Sequence, residues 1–304
     1  MQNEPVPRVQ LPLELIRQIV TLAAASSRHS ALDLCLVSSW VHAIAIRYLM
    51  RTVVIRNHWD HERFLGLIRN TLLEPPTSGP PLAHFVENVW IAAVAPQVVY
   101  TYNACQNIRH IALVYDALQW LLDASSPRAH QRNSRFALSE EARARTQELH
   151  LTLLRPRMTW PNINSFPTLK NVTRLRFADY GVYNGFIARD NLQPFPNLTH
   201  LAIETYGWDA VRFEDRARPV LSSQTLKMFV LVITASRLQL EGNVSSLVTY
   251  VSHAREADTR LYLAESLYMG MDIQPEWEED MRSGHSIWDR AVEYTKLNVD
   301  ARRR

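Results

Sequence analysis

Side chains able to do chemistry gather in three places along this chain. His58-Trp59-Asp60-His61-Glu62 brings metal-ligand types together. Their order matches no zinc-protease motif, and ligand types without that context read as a polar loop. Arg128, His130, Arg132 and Arg135 form a basic cluster suited to an acidic or phosphorylated segment, with a solvated insertion as the plainer reading. Glu278, Glu279 and Asp280 put carboxylates where they favour the positive start of a terminal helix. None of the three supplies a nucleophile with its base. Glycines are too sparse for a phosphate loop, and there is no Gly-x-Ser-x-Gly elbow and no Cys-x-x-Cys pair. The sequence predicts a binding protein: not an enzyme, with no cofactor and no metal.

Composition narrows the partners. Hydrophobic residues make up 47% and charged residues 21%, so a packed core is expected. A net charge of +3 gives no electrostatic case for nucleic acid. Glu4, Arg8, Glu14 and Arg17 interrupt the stretch a secretory signal would need, and the uncharged run Leu34–Ile46 is too short to span a bilayer. Two isolated cysteines, Cys35 and Cys105, suit a reducing compartment, with Cys35 a small core residue. The expectation is a cytoplasmic or nuclear protein with no membrane partner.

The elements begin at the N-terminus. Pro12 suits a first helical turn, and Leu15, Ile16, Ile19, Leu22 and Ala23 recur at helical spacing. Ser30-Ala31-Leu32-Asp33 has the form of a capping box that would start a second helix. Ser38 or Ser39 can cap a third, with Trp40, Ala43, Ile44, Arg47 and Tyr48 on one face. Three helices of this length bury little surface alone and call for a neighbour or partner.

The order of residues here is Leu11-Pro12 opening a helix, then Leu34-Cys35-Leu36-Val37-Ser38, Trp40 and Tyr48-Leu49. It resembles an F-box, the helical module that docks onto a Skp-type adaptor in cullin-RING ubiquitin ligases. The resemblance implies an F-box-like module over residues 9–53. Leu11, Pro12, Leu15, Ile16, Ile19, Leu34, Val37 and Trp40 would then bind the adaptor, and through it cullin.

Residues 54–304 show a different order. Short segments of the form apolar-x-x-apolar-x-apolar recur, each ending in the alternation of a half-buried strand. Their central residues are Val89, Ile111, Leu149, Leu175, Leu201, Phe229 and Leu261. Most separations fall within the roughly 20–29 residues of a leucine-rich repeat, and two are longer. Phe166-Pro167 and Phe195-Pro196 lead into two of the strands. The residues three places after the strands, Asp116, Tyr180 and Tyr206, are not the Asn or Cys of the standard repeat, so no asparagine ladder is expected. Asn171-Val172-Thr173 and Asn197-Leu198-Thr199 have the form of glycosylation acceptors, as does Asn243-Val244-Ser245. The first two occupy equivalent places, and a turn-forming Asn before a strand-forming Thr explains them structurally.

The expected fold is therefore α/β: a three-helix F-box, then an irregular leucine-rich-repeat-like solenoid with a parallel sheet. A C-terminal capping helix from Trp277 to Tyr294 would close the open end. The two ends are similar in style to F-box-like proteins of mushroom-forming fungi. The resemblance implies a substrate receptor of an SCF-type ligase, with the repeat array holding an unknown target. The competing expectation is an intracellular interaction scaffold that does not engage the ligase. On each strand the residue between the two inward positions points the other way and would line a concave surface. Aromatic and Arg residues there are the usual anchors, so Trp90, Arg174, Arg176 and Tyr262 are the target-binding candidates.

Overall fold

The computed structural model describes residues 11–73, 80–126, 136–154, 167–178, 192, 194–204, 218, 220–234, 241–268 and 270–300. The basic cluster Arg128–Arg135, Tyr180, Tyr206 and the tail 301–304 lie outside these. The chain divides into two compact units, one ending at Arg51 and the other starting at Thr52.

The first unit holds three helices: α1 (Leu13–Ser26), α2 (Arg28–Cys35) and α3 (Ser39–Arg51). Pro12 stands just outside α1, and its carbonyl accepts the first amides, from Leu15 and Ile16. The cap of α2 is Ser27, whose Oγ accepts the Ser30 amide at 3.0 Å, so the helix starts before the Ser30 expected to begin it. Ser38 caps α3. Val20 and Ala24 form the buried stripe of α1, and Ala24, Ala31 and Ala45 make the centre of the unit. Leu34, Cys35, Tyr48 and Leu49 pack around them. Such small residues let the helices approach closely but bury little apolar area.

The second unit is built on one sheet of eight parallel strands: β1 (Thr52–Ile55), β2 (Asn88–Ile91), β3 (His110–Val114), β4 (Leu149–Leu154), β5 (Val172–Ala178), β6 (His200–Glu204), β7 (Met228–Thr234) and β8 (Leu261–Ser266). Their spatial order is their chain order. Thr52 and Val53, assigned from sequence to the helical module, belong to β1. Val89, Ile111, Leu175, Leu201, Phe229 and Leu261 are buried on neighbouring strands, in one register row with Val53. The row passes through Leu151 on β4, not the expected Leu149, which pairs with Val172 beside a register shift. Leu149 and Leu151 face the same way, so the hydrophobic pattern alone does not separate them; strand pairing does.

Between strands run α4 (His58–Leu73), α5 (Val98–Ala104), α6 (Tyr115–Ser125), α7 (Glu140–Arg143) and α8 (Glu241–Ala257). Right-handed crossovers between sequential parallel strands bring connecting helices to one side of the sheet. The polar run at His58 is the first turn of α4 and not a loop. His61 is buried there, its Nε2 2.8 Å from Thr101 Oγ1 on α5. Asn243–Ser245 lies within α8. The C-terminal segment forms two helices, α9 (Gln274–Ser283) and α10 (Ile287–Asn298), where one was expected. Gly284, at φ 72°, takes the left-handed conformation that ends α9, and the Ser286/Asp289 capping box starts α10.

These two helices lie on the sheet face opposite the row of Val89. Trp277 of α9 meets Trp90 with ring centroids 5.5 Å apart. Ile287, Trp288 and Ala291 of α10 pack with Ala202, Val230, Val232 and Ala264. Both faces of the parallel sheet are thus buried, which its near-continuous apolar strands require.

Candidate functional site

The helical unit carries its largest apolar side chains outward. Leu36 is 87% exposed, Val37 66%, Ile19 55%, Leu11 51% and Trp40 43%, and Leu13, Leu15, Leu22 and Leu32 are exposed as well. The cause lies in the sequence of α1, where Glu14, Arg17, Gln18 and Thr21 take one side and apolar residues the wider remainder. Val20 and Ala24 fill the inner stripe, leaving Leu15, Ile19 and Leu22 on a second stripe with no partner in this unit. Of the eight residues expected to bind an adaptor, Leu11, Pro12, Leu15, Ile19, Val37 and Trp40 are exposed and Ile16 is half-buried. Leu34 instead packs against the alanine core. Leu13, Leu32 and Leu36 are exposed leucines that sequence reasoning did not single out. Their signal was an apolar density greater than three short helices can bury.

The four target-binding candidates sit differently from their expected open surface. Trp90 is 1% and Arg176 3% exposed, beneath α9. Tyr262 is half-buried against the α10 cluster, with the Arg255 guanidinium 4.7 Å from its ring centre. Arg174 is half-buried in a polar row that crosses the sheet as Thr52, Asn88, His110, His150, Arg174, His200 and Met228. The alternation was read correctly as one face. What covers that face comes from far along the chain, because the apolar side of α10 needed a partner of its own.

Within the polar row His110 and His150 bring their Nδ1 atoms to 3.1 Å, and Glu148 accepts from His150 Nε2 at 3.1 Å. Burial first, then the Arg174 charge, holds His150 down at about 4, against the pull of Glu148. His200 is lowered to about 4 by burial, Arg174 and His150. His61 reaches about 4 through burial and His58. Burial pushes the Cys105 thiol up to about 12, so it is an inert core residue.

A second charged group lies beneath α9. Arg176 Nη2 donates to Glu276 Oε1 at 3.0 Å and lies 3.5 Å from Glu204. Ser266 donates to Glu276 Oε2 at 2.6 Å. Arg290 of α10 bonds Glu276 at 2.7 Å and pairs with Asp280. Burial works against the Arg176 charge, but Glu276, Glu204 and Asp280 together raise its pKa above the ordinary value. Burial raises Asp280 despite Arg290. Asp280 is therefore a tertiary anchor in the later part of α9, and not the helix-start charge expected from sequence.

A ladder of amides runs along the strand entrances. Asn107 donates to the His84 carbonyl at 2.7 Å, Gln147 to those of Gln106 and Ile108, Asn171 to that of Arg145, and Asn197 to that of Lys170 at 2.7 Å. Each donor stands four residues before the buried row, and each reaches back toward the entrance of the preceding strand. Sequence reasoning looked for this ladder after the strands and missed it before them. The signal was the equivalent placing of Asn171 and Asn197.

Among the described residues no group of three or more His, Cys, Asp and Glu side chains is placed to hold a metal, and no helix is long and apolar enough to cross a membrane. No known family model matches the chain, and no curated protein is detectably similar to it.

Proposed function

We propose that this chain is a non-catalytic substrate receptor of an SCF-type cullin-RING ubiquitin ligase. The helical unit docks a Skp-type adaptor, and the strand unit is an irregular leucine-rich-repeat-like solenoid that holds a target protein. The observation that carries the reading is the exposed apolar surface of Leu11, Leu15, Ile19, Val37 and Trp40 on a unit too small to cover it. Several large apolar side chains left in water on so small a unit favour a surface that another molecule covers. Strand order equal to chain order, with side-chain amides bridging successive strand entrances, supports the solenoid part.

The test is co-expression with a Skp-type adaptor. Leu11 and Pro12 are exposed, so Leu11→Ala with Pro12→Ala should leave the fold intact while removing docking area. Adaptor recovery should fall to background for the double variant, with an unchanged circular-dichroism melt. Equal recovery from parent and variant would sink the assignment.

A further inference from the structure

We infer that the groove between α9, α10 and the C-terminal end of β8 docks a basic peptide segment in which cationic side chains flank an apolar one. This deepens the receptor reading, and rests on it for the meaning of that peptide as part of a target. The groove has a volume of about 810 Å³, within the size range of sites that enclose a ligand. Five carboxylates line it; Arg290 pairs with Glu276 and Asp280, and Arg282 with Glu279, which leaves Glu265 and Glu293 without an arginine among the described residues. Behind the wall Glu204 lies 3.5 Å from Arg176, which also binds Glu276, so the buried group adds one carboxylate and one arginine and leaves the balance of the lining unchanged. The whole chain is net positive, so this negative groove is a local feature running against the overall charge.

The groove also has an apolar component. Leu267 is 71% and Leu297 72% exposed, with Tyr268 beside Leu267. A small cation would leave these leucines wet, and an apolar peptide would leave Glu265 without an ionic partner and Glu293 with His285 alone. A segment of mixed character answers both. Glu265, half-buried among the lining residues, has no ion-pair partner among the described residues. Among the described residues Glu293 pairs with His285 alone, at 3.2 Å, a pair that is charged only when the histidine is protonated. The carboxylates at the floor are held in place before any ligand arrives: Glu276 by Ser266, Arg176 and Arg290, and Asp280 by Arg290. The floor's charges are largely spent on Arg176 and Arg290, so the attraction on an incoming cation falls to Glu265 and Glu293.

The experiment is fluorescence anisotropy on the full chain, using a short labelled Gly-Ser peptide with a central Arg-Leu-Arg. Two control copies carry Glu-Leu-Glu and Arg-Ser-Arg. The first peptide should bind, more weakly as salt rises, and better than either control. Glu265→Gln with Glu293→Gln should weaken binding by about tenfold, and Leu267→Ser should weaken it severalfold. Both variants should keep the parent's thermal unfolding and adaptor recovery. Binding that ignores the double variant, or equal binding of the Glu-Leu-Glu copy, overturns the groove and leaves the receptor reading standing. Selective peptide binding by a chain that recovers no adaptor supports the groove and sinks the receptor reading.

Discussion

Arg176 shows how one residue's position reverses its expected role. Between two inward-facing apolar residues it had the look of a surface anchor, yet it sits at 3% exposure between Glu204 and Glu276, whose second oxygen accepts from Ser266. Removing one member of a buried ion pair leaves the others uncompensated, so Arg176→Ala should destabilise the strand unit by roughly 3–5 kcal/mol, read from the urea midpoint. The histidines make a second case. His61, His150 and His200 are held near 4 in the fold, against an ordinary value of 6.5 in the unfolded chain. Between those values the unfolded chain binds more protons than the folded one, so stability rises with pH there. Their contribution is present above 6.5 and lost as pH falls toward 4. Unfolding midpoints measured across that window should drop with acid, and His150→Asn with His200→Gln should flatten the profile.

Elements are held to one another by side chains reaching the backbone of a neighbour. The amides of Asn107, Gln147, Asn171 and Asn197 satisfy carbonyls at successive strand entrances, and Arg260, braced by Asp258, does the same for those of Ser223 and Leu226. Asn171→Ala should therefore cost about 1–3 kcal/mol by leaving a part-buried carbonyl unbonded, measured by chemical denaturation. A change under a few tenths would show that water replaces the amide. The last strand has its own device. Thr295 of α10 accepts from the Leu263 amide at 2.8 Å and donates to the Leu263 carbonyl at 3.2 Å, while Arg255 bonds the Leu261 carbonyl at 2.6 Å. These bonds satisfy the Leu261 carbonyl and both backbone groups of Leu263, which leaves less of this edge strand open to pairing with another chain.

Over the whole molecule, the two units manage apolar surface in opposite ways. The strand unit buries both faces of its sheet, using its own C-terminal helices for the second. The helical unit leaves Leu11, Ile19, Leu36 and Val37 in water. In the absence of a partner that surface should drive self-association. Size-exclusion chromatography at rising concentration should show early-eluting species, and Leu36→Ser with Val37→Ser should restore a single late peak. A parent chain that stays monomeric throughout would mean that the patch is too dispersed to act as one surface.

The parallel sheet was legible because each strand repeats a local signal: alternation, a turn-forming residue at its entrance, and separations close to one repeat. The three N-terminal helices were legible for the same reason, through their apolar spacing, although the cap of α2 is Ser27 and not the expected Ser30. Period and composition are local quantities, and a sequence carries them openly. Register on β4 was not legible, since Leu149 and Leu151 offer the same face and only pairing with β3 and β5, which sets Leu151 beside Ile111 and Leu175, chooses between them. Nor was the fate of the second sheet face. A strand's alternation says which side chains share a surface, but not whether water or a distant helix lies over it. That was decided by Trp277, Ile287 and Trp288, far along the chain, whose own apolar sides could be buried only against Trp90, Ala202 and Val230. Burial there is a property of the pair of elements, and neither element's sequence contains it.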